Sequence, residues 1–193
     1  MTTLHRPLPE HLRGQAARLY WQAFGGKLGP VMGPEPLAMA FLNRVIRTDQ
    51  VIAAISPDGQ LLGIAGFKTP AGSFASGQPA DLTAIYGRFG GWWRRWLLSQ
   101  LSGGVDNDRF LLDGLCVAPQ ARSTGLGSAL LQAICDEAQS RGYTAVRLEV
   151  IDSNWRAIAL YKRLGFTVTA TQSIGPLRLI FGFKSALTMV RSL

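Results

Sequence analysis

Cysteine is nearly missing from this chain: two residues in 193, Cys116 and Cys135. Two cannot build a disulfide framework, and their scarcity fits a reducing compartment. Lysine is scarce too, 4 residues against 16 arginines, and charged residues make up only 17% of the chain. Low charge does not mean disorder here, because 47% of the residues are hydrophobic. No window holds eighteen uninterrupted apolar residues, which excludes a spanning helix on length. Residues Met1 to Glu10 lack the apolar core of a secretory signal. These absences predict a cytoplasmic chain without integral membrane association. A chain of 193 residues is expected to form one domain, burying about 70% of its unfolded surface.

What is present is a net charge of +8, which favours anionic partners. There is no zinc pattern, no lysine-rich tail and no aromatic-basic ribonucleoprotein motif. No nucleic acid and no metal are therefore expected. The arginines are spread along the chain, as on a solvated surface.

Periodicity orders the elements. Leu12, Ala16, Leu19, Tyr20 and Ala23 recur at three- and four-residue steps, which predicts a helix over 8–24 that Gly25-Gly26 ends. Pro36 opens a second helix reaching about Arg47. Val51 to Ser56 and Leu61 to Lys68 read as a hairpin around the Pro57-Asp58-Gly59-Gln60 turn. Residues 70–107 interrupt the rhythm as an insertion: a Gly/Ser/Ala-rich loop, then a helical stretch from Asp81 to Leu101. Strands follow over Phe110 to Val117, Ala145 to Ile151, Phe166 to Ala170 and Ala186 to Val190. Helices are expected over Ser123 to Arg141, with Gly142 as its cap, and Asn154 to Leu164. This order argues for helices packed on a mostly antiparallel sheet.

The most informative stretch joins the strand ending at Val117 to the next helix: Ala-Pro-Gln-Ala-Arg122-Ser123-Thr124-Gly125-Leu126-Gly127-Ser128. The first turn of a helix has free N–H groups and a positive dipole end. Glycines let that backbone approach a ligand, and Arg122 adds a cation able to bind in bidentate fashion. The result is an anion site suited to a pyrophosphate. It lacks the Gly-Lys-Ser/Thr of a P-loop and the third glycine of a dinucleotide fingerprint. An ordinary strand-to-helix turn would use the same glycines for packing.

At these residues the chain resembles the GNAT superfamily of acyl-CoA-dependent N-acyltransferases, whose Gln/Arg-x-x-Gly-x-Gly/Ala hallmark is matched by Arg122, Gly125 and Gly127. One strand on, Asn154-Trp-Arg-Ala157-Ile-Ala-Leu160-Tyr161-Lys-Arg-Leu-Gly165-Phe166 is similar to the family's Asn-x-x-Ala-x-x-Leu-Tyr-x-x-x-Gly-Phe segment. The resemblance covers residues 110–170. It departs from the family at Ser123, where many members carry Gly, and in the insertion at 70–107. It implies an α+β, three-layer α/β/α fold: a mixed, mostly antiparallel twisted sheet of about six to seven strands with helices on both faces. Residues 1–193 would form one such domain, with a lid-like insertion at about 70–107.

The resemblance also implies roles. The backbone of Leu115, Cys116 and Val117 would bind the pantetheine arm and polarise a thioester carbonyl. Arg122 to Ser128 would hold the pyrophosphate of acetyl-CoA. Asn154 would touch the pantetheine or cap its helix. Tyr161 matches the general acid that protonates the departing thiolate, though a lone helical tyrosine is more often a core residue. The base is left between Asp113 and Glu149, each of which also reads as a surface carboxylate or an arginine partner. Asp113 is expected to face the side of Leu115 and Val117 by the period of two. An acyl-Cys116 intermediate finds no neighbouring histidine in the sequence, so direct transfer in a ternary complex is expected.

The expected activity is transfer of an acetyl group to a primary amine, either a small molecule or a peptide N-terminus, with homodimer formation left open. A coenzyme A-binding module without catalysis is the rival, and a peripheral membrane or nucleic-acid binding protein a third. In the insertion, Trp92, Trp93 and Trp96 with Arg88, Arg94 and Arg95 are expected first to pack on the sheet, second to close over the acceptor as a lid, and last to touch a membrane surface.

Overall fold

Along the chain run Thr3–His5 (β1), Arg13–Met32 (α1), Glu35–Val45 (α2), Val51–Ile55 (β2), Leu61–Thr69 (β3), Gly72–Ser73 (β4) and Pro79–Leu101 (α3). Then come Phe110–Val117 (β5), Leu126–Ser140 (α4), Ala145–Ile151 (β6), Trp155–Arg163 (α5), Thr167–Ser173 (β7), Arg178–Phe181 (α6) and Ser185–Ser192 (β8). The computed structural model describes residues 2–75, 77–101 and 108–193, so residues 76 and 102–107 of the insertion lie outside the described residues.

The strands form one sheet in the order β1-β2-β3-β5-β6-β8-β7, with the short β4 beside β3. Among the described residues β5 and β6 are the one parallel pair. The hairpin turn closes through Gly59, whose N–H bonds the Ser56 carbonyl at 2.9 Å and whose φ of 78° suits glycine.

Each sheet face carries helices. On one side Leu12, Ala16 and Leu19 of the α1 segment and Phe41 and Leu42 of α2 pack over Ile64 and Cys116. On the other, Leu130, Leu131 and Ile134 of α4 pack over Phe110, Leu112 and Leu148. The three layers and the mostly antiparallel sheet match the expectation. Truncating a fully buried residue such as Ile134 to alanine would cost about 2–5 kcal/mol. Among the described residues no helix is long and apolar enough to cross a membrane.

Two expectations need correction. First, Gly25-Gly26 does not end α1, which runs to Met32 with Pro30 inside it. Each mid-helix glycine costs only about 1 kcal/mol, while the extension buries Val31 and Met32. The Trp21 ring lies over Gly25, where a Cβ would sit 2.9 Å from it. Second, packing on the protein holds for only one of the three insertion tryptophans. Trp93 joins Leu97, Phe181 and Phe183 in a small cluster, and the Arg94 guanidinium stacks on it at 4.3 Å and on Tyr86 at 4.1 Å. Trp92 and Trp96 are 74% and 57% exposed, beside Phe89 at 91%. Residues 93 and 97 take the inward face, and the 100° step per residue turns 92 and 96 outward.

Candidate functional site

The site begins where two strands part. β5 and β6 pair only through Phe110–Leu112 and Val146–Leu148. Beyond Leu112, β5 stays on β3 and β6 stays on β8, and a cleft of about 950 Å³ opens along their separation. The parting coincides with a bulge: Phe67 pairs with Leu112 but Gly66 with Gly114, leaving Asp113 as the extra residue.

Backbone alternation then decides what faces the cleft. Ala118 N–H donates to the Leu62 carbonyl at 2.8 Å, so Cys116, two residues back, also directs its backbone to β3. Leu115 and Val117 turn theirs towards β6, into the opening. Of the three residues expected to present backbone groups, two do so.

The loop stands at one end of the cleft. Ser123 has φ 64° and Gly125 φ 86°, both in the left-handed region. Gly125 reaches it freely, whereas Ser123 does so at a strain of about 1–2 kcal/mol. α4 starts at Leu126 with no side-chain cap, leaving its first N–H groups for an anion. A Cβ at Gly125 would meet nothing within 4 Å, whereas one at Gly127 would lie 3.3 Å from Leu160. The space above Gly125 is thus open, and Gly127 allows close packing of α4 on α5. Arg122, Ser123, Gly125, Gly127 and Ser128 line the cleft. Thr124 and Leu126 are turned elsewhere: the Thr124 hydroxyl donates to the Ala121 carbonyl at 2.8 Å, and Leu126 packs in the α4 core. Arg122 Nε donates to the Val117 carbonyl at 3.2 Å, tying the loop to the strand.

Tyr161 projects from α5 to the cleft wall, its ring 6.0 Å from that of Phe166. Burial first, and the neighbouring Cys116 second, raise its phenol well above the usual value, so it stays protonated. Burial pushes the Cys116 thiol up to about 12 against a small opposing effect of Arg122. A thiol so held is a poor nucleophile at neutral pH. Asn154 caps α5, its Oδ1 accepting from Ala157 N–H at 3.3 Å, and it too lines the cleft.

Asp113 and Glu149 both line the cleft's far end and a second cavity beyond it. Asp113 Oδ2 accepts from the Ser73 hydroxyl at 2.6 Å. Glu149 pairs with Arg147 at 2.8 Å. The expected facing of Asp113 is overturned by the bulge. Leu115 and Val117 pack with the α4 cluster, while Asp113 shares the α1 side with Tyr20 and Ser73. Tyr20 and Lys27 of α1 also line the cleft and escape sequence reasoning, since a helix face gives no sign of what lies opposite it. Burial, then Asp113 and Cys116, hold the Tyr20 phenol well above its usual value. Burial lowers the Lys27 ammonium. Among the described residues no group of three or more His, Cys, Asp or Glu is placed to hold a metal ion.

The chain is 46% identical over 59 residues to the [ribosomal protein bS18]-alanine N-acetyltransferase of Escherichia coli K12, covering 31% of this chain and 40% of that protein. It is 39% identical over 54 residues to the thialysine N-epsilon-acetyltransferase of Bos taurus, covering 28% and 32%. The chain thus spans well under half the length of the curated relatives it matches. In fold it is similar to the histone acetyltransferase HPA2 and related acetyltransferase from Corynebacterium glutamicum, with a TM-score of 0.67, 21% identity and coverage of 98% and 95%. A model of the acetyltransferase (GNAT) family matches residues 15–166, and the chain belongs to that family.

Proposed function

We propose that this protein is an N-acetyltransferase that moves an acetyl group from acetyl-CoA directly to a primary amine in a ternary complex. One observation carries the reading. The β5–β6 separation runs from the Arg122–Ser128 loop past the Leu115 and Val117 backbone to Tyr161, a continuous path for a long anionic thioester. The residues fit such a co-substrate: an open glycine cradle at a helix start and unpaired strand edges along the arm. The co-substrate supplies an activated acyl group. The chain's share is to bind the pyrophosphate at α4, to aim the Leu115 or Val117 N–H at the developing oxyanion, and to donate the Tyr161 proton to the leaving thiolate.

The amine must shed a proton before attack. Asp113 and Glu149 stand at the acceptor end of the cleft, able to take it directly or through water. α3 of the insertion walls the acceptor side within the same domain. With both cysteines free and buried, the enzyme suits a reducing compartment such as the cytoplasm.

The test is thiol release from acetyl-CoA with an amine acceptor, followed against pH. A general acid must be protonated to act, and a raised phenol pKa keeps Tyr161 so beyond the ordinary value near 10. kcat/KM is expected to rise with pH as the amine deprotonates and to show no falling limb up to about pH 10. Acetyl-CoA binding without turnover on any amine, peptide N-termini included, would favour the non-catalytic module instead.

A further inference from the structure

Beyond the Asp113–Glu149 end of the cleft lies a second cavity of about 560 Å³, a size that encloses a small molecule. Its floor is the sheet and its walls are α1, α2 and α3. It meets the cleft at Tyr20, Leu28, Leu112, Asp113, Leu148 and Glu149, which line both. Trp21, Met32, Phe41, Leu42, Leu82 and Leu98 make the wall away from that junction. The acidic residues lining it, Asp113 and Glu149, both stand at the junction. Lys68 and Arg95 also line it, and Arg147 is engaged with Glu149.

From this distribution we propose that the acceptor is a small primary monoamine with an apolar body, not a diamine and not a peptide N-terminus. The inference rests on the N-acetyltransferase reading and deepens it. The attacking nitrogen has to reach the thioester end of the cleft, so the ammonium enters at the junction, where the Asp113 carboxylate meets it. The rest of the acceptor then occupies the chamber, where each buried methylene raises kcat/KM about fourfold. A second ammonium would be desolvated among apolar side chains, with Lys68 and Arg95 repelling it and, among the described residues, no further carboxylate on the lining to receive it. A peptide would bring amide N–H and C=O groups to walls that offer them few partners. Leu82 and Leu98 of α3 help form those walls, which makes the insertion a determinant of acceptor choice.

The experiment measures kcat/KM by thiol release for butylamine, hexylamine, 2-phenylethylamine, 1,6-diaminohexane and an alanine-initiated hexapeptide, with acetyl-CoA affinity measured separately by calorimetry. Hexylamine is expected to exceed butylamine by about fifteenfold, two methylenes at about fourfold each, and to exceed diaminohexane and the hexapeptide by at least as much. The Arg95→Glu variant, altered at an exposed position, is expected to narrow the gap between hexylamine and diaminohexane about tenfold. Faster turnover of the diamine or the peptide than of hexylamine overturns the acceptor class while leaving the N-acetyltransferase reading intact, and binding of acetyl-CoA with turnover of none of the five amines overturns both in favour of a non-catalytic module. Absence of acetyl-CoA binding overturns the acceptor class and the N-acetyltransferase reading together.

Discussion

Replacing Tyr161 by phenylalanine is expected to lower kcat by about a hundredfold to ten-thousandfold, the range a positioned general acid contributes. The acetyl-CoA dissociation constant should hardly move. The ring, which packs against Phe166 and is 7% exposed, survives the substitution, so the fold has no reason to change. Only the proton for the departing sulfur is lost, and that proton acts in the transition state. Because the phenol is held protonated by its surroundings, its contribution is present at every pH where the amine reacts. A phenylalanine variant with the parent kcat on an identified amine would return Tyr161 to the core.

A smaller loss, this time in binding, is expected from Gly125→Val. At φ 86° a β-branched residue is a conformational outlier, at a cost of about 1–2 kcal/mol. No heavy atom lies within 4 Å of the would-be Cβ, so the variant should still fold. The isopropyl group would instead occupy the open space above the first N–H groups of α4, where the pyrophosphate is proposed to lie. Calorimetry is expected to give an acetyl-CoA affinity weakened about tenfold to a hundredfold. Unchanged affinity in a folded variant would remove the loop from the binding site.

Much of this architecture is legible before any coordinates. The limits of β5 and β6 agree with those expected from the sequence, because Pro119 and Gly142 punctuate the chain beside them. The hairpin was equally plain from Pro57-Asp58-Gly59. The loop of Arg122, Gly125 and Gly127 could be singled out by spacing, and the structure puts most of its residues around one cleft with Tyr161 and Asn154. What misled was competition between local and distant effects. Gly25-Gly26 looks like a stop, but burial at Val31 and Met32 carries α1 past it. The period of two places Asp113 with Leu115, and one extra residue reverses that. The isolated Gly114, opposite Gly66, was the available sign, since glycine inside a strand often marks a bulge. The packing expected of Trp92 and Trp96 fails because an aromatic-rich helix does not announce which face it buries. The two-residue β4 and three-residue β1 are too short for periodicity to register.

The parted strands have a kinetic consequence that can be watched residue by residue. Leu115 and Val117 direct their amides into the opening between β5 and β6, while Cys116 between them is locked onto β3. In the free protein, deuterium should enter the outer two amides quickly and the middle one slowly, since exchange follows local opening rather than position in the chain. Acetyl-CoA lying along the opening would slow the outer pair and leave Cys116 unchanged. Three consecutive residues of one strand would then respond to a ligand in alternation, and a uniform slowing across all three would mean that the strands close on binding rather than accept a guest between them.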